Sequence, residues 1–136
     1  MEKKLVLINK VSEIEKLVLF VEELGEELNL PADLIFNLNL VLEEAVSNVI
    51  LYAYPQDQTQ EIYLSVKKEG NMLLFNLTDT GKEFDPTLMP EADITLSAEE
   101  RQIGGLGIYL IRQIMNTVEY HRIDGKNVLI LSKQLN

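Results

Sequence analysis

The chain has 136 residues, a length that fits one domain over 1–136 with a core of its own. Hydrophobic residues make up 46% and charged residues 25%, ordinary globular proportions that argue against disorder and fibrous repeats. Twelve Lys and Arg against twenty-two Asp and Glu leave a net charge of −10, which disfavours a grip on nucleic-acid phosphates or an anionic membrane, and with no cysteine and one histidine any metal is expected on oxygen ligands.

The apolar run Leu5–Ile8 is too short for the core of a secretory leader, which needs roughly 7–15 residues, and Lys4–Ile8 is predicted as a strand. Ser12 and Glu15 have the spacing of a capping box at a helix start. Ile14, Leu17, Val18, Val21, Leu24 and Leu28 then recur at helical spacing, with Glu15, Glu22, Glu23, Glu26 and Glu27 on the other face. Pro31 suits the first turn of a second helix running to about Ala53. Its apolar stretch carries Glu43, Glu44 and several amides, so a membrane span is disfavoured and a cytoplasmic location is expected.

Ile62, Leu64 and Val66 alternate, Gly70-Asn71 supplies a turn, and Met72–Thr78 follows, which predicts a hairpin. From Asp79 to Gly107 no period holds, and glycines and prolines interrupt a polar stretch of the kind that is usually functional. Ile108–Met115 resumes a helix, and Val118–Ile123 with Asn127–Lys133 forms a second hairpin about Asp124-Gly125-Lys126. This order predicts an α+β two-layer sandwich, a mostly antiparallel sheet with helices on one face.

Three segments carry candidate chemistry. On the second helix Glu44 and Asn48 fall within about 40° of each other, with Asn37 on the same stripe, which suits either a cavity-facing polar row or a solvated helix edge. Asp79-Thr80-Gly81 follows a strand; an aspartate there can accept a hydrogen bond from an exocyclic amine while glycine admits a flat ring, and a plain turn fits equally. Gly104-Gly105-Leu106-Gly107 precedes a helix, where free amides and the helix dipole suit phosphate, and where a hinge also fits. The lone His121, in a strand candidate, is taken as structural.

In this order and spacing, the three segments resemble the N, G1 and G2 boxes of the GHKL ATPase superfamily, to which gyrase-type and histidine-kinase ATP-binding domains belong. Glu-Ala-Val-Ser-Asn-Val, Asp-Thr-Gly-Lys-Glu-Phe-Asp-Pro and Gly-Gly-Leu-Gly-Ile-Tyr-Leu-Ile-Arg-Gln-Ile-Met are similar to the small anti-sigma factor serine kinases of the RsbW and SpoIIAB type, over nearly the whole chain. The resemblance implies the GHKL, histidine-kinase-like ATP-binding fold, with ATP and Mg²⁺ as cofactors. It makes Asn48 the Mg²⁺ ligand, Glu44 the general base and Asp79 the acceptor of the adenine amine. Gly81 would make room for the ring, and Phe84, Gly104, Gly105, Leu106, Gly107 and Asn127 would line the nucleotide, with a lid between about Asp85 and Gly104. Such an assignment suits a cation that prefers oxygen and keeps several waters.

Two positions depart from the superfamily pattern. Glu83 stands where many members carry a second glycine, and Asn127 where relatives often carry a threonine. The function implied is an ATP-dependent protein-serine kinase that phosphorylates a STAS-type anti-sigma factor antagonist and regulates a sigma factor by partner switching, with a homodimer expected through the N-terminal strand and first helix. The alternative is a non-catalytic ATP-gated protein-binding module. A histidine-kinase catalytic domain suits the chain less well, because His121 falls in a predicted strand.

Overall fold

A computed structural model describes residues 1–55, 57–88 and 105–135. Strand β1 (Glu2–Ile8) leads through a 3-10 turn, Val11–Glu13, into helix α1 (Ile14–Leu28) and then α2 (Ala32–Asn48). A π-helical turn, Val49–Ala53, extends α2 before the hairpin β2 (Glu61–Glu69) and β3 (Met72–Asp79). A 3-10 turn at Pro86–Leu88, helix α3 (Gly105–Ile114) and the hairpin β4 (Thr117–Ile123) and β5 (Lys126–Gln134) complete the order. The strands lie as β1-β2-β3-β5-β4, and every neighbouring pair is antiparallel.

Strand alternation decides where the core sits. Leu64, Val66, Phe75, Leu77, Leu129 and Leu131 come into register on one sheet face, and all are buried. Leu17, Val21 and Leu24 of α1, Leu38, Val41, Leu42 and Val46 of α2, and Ile108 and Ile111 of α3 join them in one apolar cluster. The expected α+β two-layer sandwich is therefore the fold. By length and a mean hydropathy of 1.5, Ala32–Ala53 is apolar enough to cross a membrane, yet its apolar side is packed into this core.

The capping box does not form. Ser12 lies inside the 3-10 turn, Glu13 is the N-cap of α1, and no side chain caps the helix. The tighter turn carries the helix start past Ser12. Glu13 staples this corner instead: Ile8 N donates to its Oε1 at 3.1 Å, and Lys16 Nζ lies 2.9 Å from its Oε2. Helix α3 also begins earlier than the apolar period suggests, so Gly105 and Gly107 sit in its first turn.

Candidate functional site

The site begins where β3 ends. Asp79 is the last residue of that strand, pairs with Asn127 of β5 and is 2% exposed. Its Oδ1 accepts hydrogen bonds from Gly81 N and from Asn127 Nδ2, both at 2.9 Å, whereas no described residue donates to its Oδ2. Burial pushes the Asp79 pKa above the usual carboxylate value; the bonds from Asn127 and Gly81 and the nearby charge of Arg122 oppose that rise.

The following loop is fastened to the end of α2. A methyl group built at Gly81 would overlap the carbonyl oxygen of Ala53, and Lys82 N donates to that same oxygen at 2.9 Å. The resemblance gives Gly81 the task of making room for a ring; what its missing side chain makes room for here is the π turn. Tyr54, at the end of that turn, is buried, and its hydroxyl accepts from Thr80 N at 2.7 Å and donates to Glu61 O at 3.1 Å. A π turn is an irregularity often kept where an element must be aimed at a site.

Asn48 closes the same space from α2. It is 3% exposed, its side chain makes no hydrogen bond to any described residue, and its Nδ2 is buried without a partner. Left unsatisfied, such a group costs roughly 1–3 kcal/mol, a cost that a water or a ligand in the adjoining cavity removes. One helical turn earlier, Glu44 is half-buried, and burial raises its pKa. Its carboxylate lies against the first turn of α3, so closely that a methyl group at Gly107 would overlap it.

Asn127 ties the floor together. Its Nδ2 donates to Asp79 Oδ1 at 2.9 Å and to Lys82 O at 2.8 Å; its Oδ1 accepts from Phe84 N at 3.1 Å, from Arg122 Nη1 at 3.0 Å and from the Tyr120 hydroxyl. Both amide protons are engaged, leaving none for a base. Arg122 Nη1 also donates to Gly81 O at 2.8 Å.

Asn48, Asp79, Phe84 and Asn127 line one cavity of about 20 Å³, room for about one water molecule. Beside it, Tyr52, Ala53, Tyr54, Thr80, Gly81 and Lys82 line a larger one of about 580 Å³. The rings of Tyr52 and Phe84, one from each lining, stack at 5.2 Å with a 25° tilt. Of the residues singled out from the sequence, Gly105 and Leu106 lie in the first turn of α3 with Gly107, whereas Gly104 and most of the expected lid lie outside the described residues. Asn37 is not brought in; it opens onto a separate cavity with Leu28, Pro31 and Lys133. His121 is exposed on β4, with Nε2 3.6 Å from Glu119. Sequence reasoning missed Tyr52, Tyr54, Tyr120 and Arg122. The period-two placement of Tyr120 and Arg122 on the core-facing side of β4 was the available signal for two of them.

Residues 8–133 match the histidine kinase-like ATPase domain. The chain belongs to the histidine kinase-like ATPase family. Within that family, a serine/threonine-protein kinase named BtrW from Bordetella bronchiseptica is 31% identical over 101 residues, 74% of this chain and 71% of its own length. A serine-protein kinase named RsbW from Listeria monocytogenes is 27% identical over 74% of this chain and 66% of its own. An anti-sigma F factor from Anoxybacillus flavithermus is 25% identical over 76% and 71% respectively. The expected membership of the histidine kinase-like ATPase family thus holds for almost the entire chain.

Proposed function

We propose that this chain is a cytoplasmic ATP-dependent protein-serine kinase of the anti-sigma factor type. It transfers the γ-phosphoryl group of ATP to a serine of a small STAS-type antagonist protein and binds a sigma factor in its other state. The observation that carries this reading is the buried Asn48 amide, without a partner, facing the same cavity as the free Oδ2 of Asp79. The printed names of the relatives, serine-protein kinases and an anti-sigma F factor, support it.

The cavity at Asp79 has room for only about one water with Phe84 lining it, so adenine enters as Phe84 swings outward; Asp79 Oδ2 then accepts a hydrogen bond from the adenine amine and Phe84 covers the ring. The first turn of α3 offers its amides and positive dipole end to the phosphates. The residues present fit Mg²⁺, which prefers oxygen ligands: the Asn48 amide oxygen would hold the ion, while its orphaned Nδ2, a donor that cannot bind a cation, would be satisfied by a phosphate oxygen. Bound there, Mg²⁺ would neutralise charge on the phosphates.

Glu44 takes the proton of the incoming serine hydroxyl as the serine oxygen bonds to the γ-phosphorus and the bond to the β-phosphate oxygen breaks, releasing ADP. Burial raises its pKa, which makes the carboxylate a stronger base than an exposed one. The homodimer is proposed through β1, a sheet edge, and α1, where Val6 and Leu19 are exposed.

The deciding experiment is the thermal midpoint with ATP or ADP, with and without Mg²⁺, for wild type and Asn48→Ala, followed by phosphoryl transfer by Glu44→Ala. Ligand at about 100 times its dissociation constant adds about 2.7 kcal/mol, a shift of several degrees. The reading expects a Mg²⁺-dependent shift lost in Asn48→Ala, and transfer lost in Glu44→Ala. A wild type whose midpoint ignores both nucleotides at millimolar concentration overturns it; transfer that survives Glu44→Ala removes Glu44 as the base.

A further inference from the structure

Asn127 stands at the edge of the base pocket with both amide protons engaged inside the protein, one on Asp79 and one on Lys82. It therefore has no donor for a bound base and acts on one through the groups it holds, of which Asp79 is the one with a hydrogen-bonding atom open to the base. The Oδ1 of Asp79 accepts from Gly81 N and from Asn127 Nδ2, which fills the two acceptor positions of that oxygen. Only Oδ2 is left open among the described residues.

Resting on the nucleotide-site reading above, we infer that Asn127 determines base specificity by making Asp79 a one-oxygen acceptor. Adenine offers this carboxylate one N–H of its exocyclic amine, and one oxygen is enough. Guanine offers two adjacent donors, N1–H and the 2-amine, which match the two oxygens of an unencumbered carboxylate in a paired, bidentate contact. With Oδ1 occupied, one guanine donor enters the pocket unpaired, and a buried unpaired donor is penalised more than a missing bond. The Asn127 side chain is held in place for this by Arg122 Nη1, Phe84 N and the Tyr120 hydroxyl on its oxygen, so its amide is oriented with Nδ2 toward Asp79.

The test is the dissociation constants of ATP, GTP and ITP for wild type, Asn127→Ala and Asn127→Thr. ITP is GTP without the 2-amine, so the GTP-to-ITP comparison isolates the second donor. Wild type is expected to bind ATP most tightly and GTP no more tightly than ITP. Asn127→Ala is expected to move the GTP-to-ATP ratio about tenfold toward GTP and to place GTP ahead of ITP, the size of one hydrogen bond to a charged group. Asn127→Thr keeps a hydroxyl donor near Oδ1 and is expected to keep the wild-type ratios at weaker overall affinity.

If Asn127→Ala weakens all three nucleotides equally, Asn127 is only a structural tie and the inference falls while the nucleotide site stands. If wild type already prefers GTP to ITP severalfold, the inference falls on the unaltered protein, whether or not the variants fold. A wild type that binds none of the three overturns the site and the inference together.

Discussion

The Glu44 carboxylate and the α-carbon of Gly107 touch with no space for a side chain between them. Helix α3 is thereby docked on α2 at the point where its free N-terminal amides begin. Gly107→Ala is expected to push the flexible Glu44 carboxylate aside and to lower stability by less than about 1 kcal/mol, because the better helix propensity of alanine offsets part of the strain, seen as a midpoint lowered by a degree or two. Glu44→Ala in the same chain removes the obstacle, so the double variant should recover most of that loss. Additive losses in a double-mutant cycle would show that the two residues do not meet.

Asn48 offers the opposite sign. Its buried Nδ2 has no partner, so Asn48→Leu, which keeps the branching and the number of side-chain heavy atoms, removes an unsatisfied group beside a small cavity that takes up part of the added volume. The nucleotide-free protein is expected to gain about 1 kcal/mol in denaturant unfolding. The same variant should show no Mg²⁺-dependent stabilisation by ATP. A loss of stability without ligand would mean that the amide has a partner after all.

Glu44 also sets a pH dependence. Burial raises its folded-state pKa above the reference of 4.5, so the native state binds its proton more tightly than the unfolded chain does. Stability from this group is then greatest below about 4.5 and declines as pH rises through the raised value. Glu13 runs the other way: the hydrogen bonds from Lys16 and from the Ile8 amide lower its pKa, so its contribution is present above the unfolded value and lost as pH falls through the folded one. Glu44→Gln is expected to flatten the decline above pH 4.5 and leave the acid-side loss intact, as measured by denaturant midpoints across pH 3–8. An unchanged slope above 4.5 would assign the decline elsewhere, with Asp79, also raised by burial, the next group to test.

Tyr54→Phe removes a single oxygen. That hydroxyl links Thr80 N to Glu61 O, so the substitution leaves a part-buried amide and a strand-end carbonyl short of a partner. The expected cost is about 1–3 kcal/mol in thermal or denaturant unfolding, with faster amide exchange at Thr80. An effect below about 0.5 kcal/mol would show that water replaces the hydroxyl.

The hairpins are legible in the sequence because each is specified locally. Ile62, Leu64 and Val66 alternate, and the turn residue Gly70 adopts a positive φ of 59°, a conformation that glycine takes at little cost. Asp79 at a strand end and Gly105 and Gly107 at a helix start are legible for the same reason. What stays hidden depends on register and packing. Asn37, Glu44 and Asn48 share a helical stripe, but α2 is long enough for its two ends to face different cavities. Arg122 reaches Gly81 only because β4 pairs with β5, which places Asn127 opposite it. Ser12 has the spacing of a cap, and the 3-10 turn that displaces it has no local signal of its own.

Asp79 and Asn127 lie side by side because β5 pairs with β3, although α3 and all of β4 separate those strands along the chain. The pocket floor therefore depends on a contact between residues 48 positions apart in the chain. Non-local pairing bears the entropy of closing a long loop before any contact rewards it, and is slow for that reason. A chain emerging or refolding with β1, α1, α2 and the first hairpin in place has Asn48 and Asp79 but not the amide that orients the carboxylate. Maturation of the pocket is thus tied to arrival of the last strand, and a chain truncated before Lys126 would lack it entirely.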